Sequence, residues 1–269
     1  MILEYTGCFT AGAVLTTLPR VNHLERPVEP WRAVDDGDAV RFCSTCAFSS
    51  ACLAQGMGKR ELHDLHVLVE HVGPLAAGSH IFREGDAFNV IAAVREGMVK
   101  TWRVDRDGRE QVLGFHLPGE VIGLSAIDGE RYPCNADALD RVQLCRFSFA
   151  KVATLATRLP GLQRELFRLL SRDITHAERL AADLPADARL AGFLLDLSQR
   201  MARADGVLAR LRLAMPRADI ANYLRLAPET VSRLFRRFRD ESLLVVRGRE
   251  IEITDRDRLQ RLAEAGNGA

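Results

Sequence analysis

The hydropathy pattern of this chain changes period near residue 150, and no single element satisfies both periods. From Gly78 to about Phe149, short apolar runs alternate with glycine-containing turns: Gly85-Asp86, Glu96-Gly97, Asp107-Gly108, Pro118-Gly119 and Asp128-Gly129. The runs include Val90 to Val94, Met98 to Val104 and Gln111 to Leu117. Strands spaced roughly 8–12 residues apart and punctuated in this way predict an antiparallel barrel, roll or sandwich. Asp107-Gly108 suits a tight hairpin, because both residue types tolerate positive φ. From about Lys151 the apolar positions recur instead at three and four, through Leu166, Leu170, Ile174, Ala177, Ala181 and Leu184. That is the stripe of one long helix, expected over residues 151–184.

A long amphipathic helix beside a compact β unit needs cover for its stripe. Its own β unit is one cover. A parallel helix from a second copy is another, and the period suits a coiled-coil seam, so a homodimer is expected. The preceding residues are less regular. Residues 1–42 lack periodicity and carry Pro27, Pro30 and Asp35-Asp36-Gly37-Asp38, which reads as an irregular arm. Lys59 to Val72 places Leu62, Leu65, His66 and Val69 at helical spacing and predicts a short helix.

Composition excludes several classes. With 47% hydrophobic residues among 269, wholesale disorder is out. No apolar run approaches the roughly 18 residues that a membrane span needs. The start, Met1-Ile2-Leu3-Glu4, carries an acid where a secretion signal needs a basic region, so a cytoplasmic protein is expected. No phosphate loop, Gly-x-Ser-x-Gly elbow or His-Glu-x-x-His motif occurs, so an enzyme is not expected.

The last third, residues 185–269, reads as a separate helical unit. Arg189 to Ala202 forms one helix, Arg217 to Leu224 a second, and Pro228 to about Phe238 a third that opens on a favoured first-turn proline. Two β-prone runs, Leu243 to Val246 and Glu250 to Thr254, flank Arg247-Gly248 as a hairpin or wing. The pair of helices joined around Arg225 to Ala227 has helix-turn-helix dimensions. Ile220, Leu224, Val231, Leu234 and Phe238 would pin it together. Glu229, Ser232, Arg233 and Arg236 fall on the other face. Residues 225–239 hold five Arg and one Glu, a local charge of +4 in a chain of net charge +1. That contrast suits double-stranded DNA. Arg233 can donate twice to guanine, Glu229 can accept from cytosine, and Ser232 can meet a base or phosphate. Arg236, Arg237 and Arg239 suit phosphates or a protein partner. The plainer alternative is a helical hairpin with a solvated basic face.

The order β unit, long helix, winged helix-turn-helix resembles the Crp/Fnr family of bacterial transcription regulators. Pro228-Glu229-Thr230-Val231-Ser232-Arg233 is similar to that family's recognition-helix signature, Glu-x-x-Ser-Arg. Gly114-Phe115-His116-Leu117-Pro118-Gly119-Glu120 resembles a stretch of the sensory β-roll in the Fnr branch. The resemblance covers residues 43 to about 262. It implies an α+β chain with a cyclic-nucleotide-binding-like antiparallel β-roll over residues 43–150, a dimerisation helix and a C-terminal winged helix-turn-helix. It also implies a homodimer on a palindromic promoter site, with Glu229, Ser232 and Arg233 as base readers and RNA polymerase as a further partner.

The cysteines bear on what such a regulator senses. Cys43, Cys46 and Cys52 put three soft ligands on one short segment, and Cys134 and Cys145 could supply a fourth. Polynuclear iron and structural zinc both suit thiolates at this spacing, and a thiol switch is a third option. Resemblance to the Fnr branch implies a [4Fe-4S] cluster on Cys43, Cys46, Cys52 and Cys145, whose loss in oxygen would weaken specific DNA binding. The rival is a Crp-like regulator that responds to a cyclic nucleotide. Gly119-Glu120 fits that rival, but Arg131-Tyr132-Pro133-Cys134 lacks the Arg-Ser pair its phosphate needs.

Overall fold

The computed structural model describes residues 52–181, 184–205 and 210–265. The arm over residues 1–42, together with Cys43 and Cys46, lies outside the described residues. The β unit is a roll of antiparallel sheets. One runs in the order β1 (Val69–Leu75), β8 (Val142–Ser148), β3 (Val90–Glu96), β6 (Val121–Ile122). The other runs β2 (His80–Phe82), β7 (Asn135–Ala138), β4 (Val99–Val104), β5 (Glu110–His116), which leaves β5 at an edge. Val72, Val94, Val99, Ile122, Ala136 and Leu144 are among the side chains that fill the space inside. The α+β architecture is therefore as expected, and the Asp107-Gly108 hairpin joins β4 to β5.

The expected helix over Lys59–Val72 is shorter. Helix α1 spans Lys59–His66, and Val69 instead opens β1. Val69 and Val72 are β-branched, and β1 has β8 available as an antiparallel partner, with Val69 opposite Phe147. Pairing outweighs the helical spacing of Leu65 and Val69.

The long helix is also divided. After β8 comes α2 (Phe149–Ala156), and a separate helix, α3, spans Pro160–Ala181. Pro160 restricts the residue before it to extended backbone and lacks the N–H that would continue α2. The stripe splits accordingly. Leu166 and Leu170 turn inward with Leu162 and Leu169, against Ile91, Ala93 and Phe147. Ile174 is 61% exposed, and Phe167, which the stripe did not include, is 63% exposed. Ala177 is exposed too, while Leu184 lies beyond the end of α3.

The C-terminal unit packs α4 (Ala186–Asp205), α5 (Arg217–Tyr223), α6 (Pro228–Asp240) and α7 (Arg256–Glu264) around Leu190, Leu194, Leu197, Ile220, Val231 and Phe238. Its sheet has three strands, not the two of a simple hairpin. β9 (Arg210–Arg212) pairs with β11 (Glu250–Ile253), which pairs with β10 (Leu244–Arg247). A three-residue strand is too short for its alternation to stand out in the sequence. Met98, Val112, Phe115 and Leu117 of the roll belong to the same apolar core as this unit. Among the described residues no helix is long and apolar enough to cross a membrane.

Gly97, between β3 and β4, has φ +80°, and an added Cβ would overlap the carbonyl oxygen of Arg141. Gly108 has φ +76° with nothing near the added atom. Gly97→Ala should therefore cost roughly 3 kcal/mol or more, from overlap added to strain, and Gly108→Ala only about 1 kcal/mol. Urea unfolding of the two variants measures the difference.

Candidate nucleic-acid interface and metal centre

The recognition helix α6 is built from a short turn. Arg225 takes φ 54°, and Leu226 N–H donates to the Ala221 carbonyl across the corner. Ala227 is extended, Pro228 opens the helix, and Glu229 sits in its first turn, where the helix dipole favours an acid. Ile220, Leu224, Val231, Leu234 and Phe238 are all buried. Glu229, Ser232, Arg233 and Arg236 are all exposed on one helix. The Ser232 hydroxyl donates to the Pro228 carbonyl at 2.9 Å, so its oxygen is left to accept. An Arg233 guanidinium nitrogen lies 3.4 Å from Thr230 Oγ1.

The basic residues of this segment divide by role. Arg237 pairs with Asp187 of α4 at 2.9 Å, which holds Asp187 below the usual carboxylate range. Arg239 pairs with the adjacent Asp240. Among the described residues no ion pair involves Arg225, Arg233 or Arg236. Sequence reasoning grouped Arg236, Arg237 and Arg239. The structure separates Arg236 from the other two, because acids distant or adjacent in sequence fold against those two alone.

Cys52 and Cys145 border the same apolar core as Ile91, Phe147 and Leu162, each half-buried. Cys134 is buried in the other core, inside the roll, where burial pushes its thiol up. Cys145 therefore borders the same core as Cys52, and Cys134 does not. Cys145 Sγ lies 3.8 Å from His71 Nδ1 on the neighbouring strand, a neighbour that the spacing of cysteines could not reveal. Among the described residues no group of His, Cys, Asp and Glu is gathered as a metal site. The donor chemistry of two half-buried thiols beside one core nonetheless fits a thiolate-held metal.

The carboxylate of Glu120 has a different setting from a free ligand site. Its oxygens accept from Arg200 Nε at 2.8 Å and Nη2 at 2.6 Å, and Leu117 N–H donates to it at 3.0 Å. Burial alone would push this acid up, but the Arg200 charge and its hydrogen bonds bring it to about 2. His116 Nε2 lies 3.1 Å from Thr101 Oγ1, and burial pushes the imidazole down to about 4. Arg131, the residue nearest to a phosphate clamp in sequence, is exposed and donates to the Gly85 carbonyl.

His116 and Glu120 share one sign of acid behaviour, which Asp173, pushed up to about 6 by burial and the Glu120 charge, opposes between about 6 and its ordinary 3.8. His116 stays neutral in the fold below its ordinary 6.5, so the unfolded chain binds more protons between 6.5 and about 4. Glu120 behaves likewise between 4.5 and about 2. Both contributions are present at neutral pH and are lost as pH falls. From pH 6.5 toward 4 the urea midpoint of wild type should fall relative to that of His116→Gln, which lacks the imidazole contribution. An unchanged slope in the variant would remove His116 as its cause.

Comparison with known proteins completes the description. Residues 188–262 match a family described as the Crp-like helix-turn-helix domain. Residues 73–158 match one described as the cyclic nucleotide-binding domain. The chain is 41% identical over 225 residues to the transcriptional activator protein anr of Pseudomonas aeruginosa, across 82% of this chain and 92% of that protein. It is 34% identical over 235 residues to the fumarate and nitrate reduction regulatory protein of Escherichia coli K12, across 86% and 94%. Among solved structures, FixK2 from Bradyrhizobium japonicum matches with a TM-score of 0.66 and 28% identity, over 72% of this chain and 96% of that one.

Proposed function

Because the chain belongs to the Crp/Fnr family of transcription regulators, we propose that it is an oxygen-responsive, DNA-binding transcription activator that holds a [4Fe-4S] cluster and reads palindromic promoter sites as a homodimer. The observation that carries the DNA part is the exposed row Glu229, Ser232, Arg233 and Arg236 on a helix whose opposite face, Val231, Leu234, Phe235 and Phe238, is buried. Arg233 and Glu229 read base edges, Ser232 meets a base or phosphate, and Arg236 meets phosphate. Arg237 serves the fold through Asp187.

Cys43, Cys46, Cys52 and Cys145 are the residues that would hold the cluster. Its chemistry when bound is that of an iron centre which oxygen oxidises and dismantles. What the chain contributes is placement. Cys145 sits on β8, which ends at Ser148 and leads directly into α2 at Phe149. Cys145 thus stands just ahead of the helices that carry the dimer seam. The exposed Phe167 and Ile174, seven residues apart on α3, supply an apolar face for a second copy, while Leu170 packs inward. Ala177 and Ala181 continue that helix. RNA polymerase is the partner that an activator of this family addresses.

A cyclic nucleotide is the less favoured effector. It would need the Glu120 carboxylate, which already accepts from Arg200 and from Leu117 N–H.

The test is an anaerobic iron and acid-labile sulfide assay with operator binding by fluorescence anisotropy. Wild type should contain both elements, and Cys145→Ala should lose them and its air-sensitive operator affinity. Stoichiometric zinc without sulfide would reject the cluster. Arg233→Ala should lose operator affinity by about tenfold or more and relax one base position. Arg237→Ala should mainly lower thermal stability.

A further inference from the structure

The region that matches the helix-turn-helix family is bound to the region that matches the sensory family by side chains the proposed function does not use. Arg200 of α4 lies in the first region and Glu120 in the second. Both are largely buried, at 13% and 15% side-chain exposure. The guanidinium donates to both oxygens of Glu120, to Asp196 on its own helix at 3.0 Å, and to the Phe115 carbonyl. Arg172 of α3 approaches the same carboxylate at 3.7 Å.

A second fastening lies nearby. β5 is an edge strand with backbone groups left unpaired along one side. The Asn222 side chain of α5 occupies that edge as a peptide group would. Its Oδ1 accepts from Val112 N–H at 2.7 Å, and its Nδ2 donates to the Glu110 carbonyl at 2.6 Å. Lys100 on β4 adds an ion pair to Asp219 of α5 at 3.2 Å. Phe115 and Tyr223 bring their rings to 5.2 Å.

The position of Glu120 connects this joint to the candidate metal ligand. Cys145 on β8 is the cross-strand partner of Ala93 on β3. Ala93 is in turn the partner of Val121 on β6, the residue that follows Glu120. The backbone closes the row, since Val94 N–H donates to the Glu120 carbonyl at 2.8 Å and Gly119 N–H to the Val94 carbonyl at 2.7 Å. A cross-strand row therefore runs from Cys145 through Ala93 to Val121, and the chain itself continues from Val121 to Glu120 and its partner Arg200.

We propose that Arg200 and Asn222 make the DNA-binding unit an internal ligand of the sensory roll, and that this row carries the state of Cys145 to the pose of the recognition helix. Arg200 and Asn222 are positioning residues, since neither touches DNA in this assignment. The physical reason is that a buried carboxylate and a strand edge each demand one partner geometry, so a shift of β6 displaces the Glu120 carboxylate that seats α4, while Asn222 keeps α5 on the edge of β5. The transmission part rests on the oxygen-sensing reading, whereas the docking part stands on geometry alone.

Amide hydrogen exchange on the full anaerobic protein tests docking. In Arg200→Gln and in Asn222→Ala, residues 110–116 and 217–223 should exchange together, about tenfold faster or more than in wild type. Residues 90–96 and 228–240 should keep their protection. Unchanged exchange in both variants overturns the joint. If Arg200→Gln unfolds as a whole, Asn222→Ala decides by the same criterion. Operator anisotropy before and after air then tests transmission. The affinity ratio should approach one in the variants while wild type keeps its response. A variant with a loosened joint and a wild-type air response overturns transmission. A wild type without iron or air response instead rejects the oxygen-sensing reading, and the exchange result still decides docking.

Discussion

A carboxylate taken out of water must be matched by an equally fixed cation, and in this chain the match spans the two halves of the molecule. Glu120 projects from the sensory roll, and Arg200 reaches it from the first helix of the DNA-binding unit. Without the guanidinium, burial would favour the neutral acid; with it, the carboxylate stays charged even well into acid. The pair is not a large source of stability by that fact, because removing both charges from water offsets much of their attraction. Its consequence is geometric. Two oxygens and a planar fork admit few relative orientations, so the reader helices are seated on the roll in a defined way.

The same economy of charge shapes the recognition helix. Arg237 and Arg239 are neutralised by Asp187 and Asp240, whereas Arg233 and Arg236 face solvent. Affinity for a polyanion scales with the cations that remain free to displace counterions, so counting arginines overstates it. The apolar residues behind the helix serve the complementary purpose. Val231, Leu234 and Phe238 hold the helix rigidly, so an exposed side chain meets a base edge from a fixed backbone.

Much of this organisation was legible before any coordinates. Glycine turns and alternating runs marked the roll, and the helix-turn-helix appeared with boundaries close to Arg217–Tyr223 and Pro228–Asp240. The failures share a cause. Val69 joined a strand because β8 was there to pair with it, and β9 formed because β11 offered an edge. Leu166 and Leu170 turned inward while Phe167 stayed outside, because the roll covers only one side of α3. The spacing of cysteines nominated both Cys134 and Cys145, the family resemblance favoured Cys145, and the fold puts the two beside different cores.

Local periodicity and turn chemistry act between residues a few positions apart, so the amino-acid order alone determined most of the strands and helices and which helix face is charged, though not where β1 begins or that β9 forms. The meeting of Glu120 with Arg200, of Asn222 with the edge of β5, and of Cys145 with His71 joins groups 80, 110 and 74 residues apart. Contacts at such separation leave no period in a sequence. They exist only because the packed sheets and helices bring those side chains to one place, and tertiary structure alone decided them.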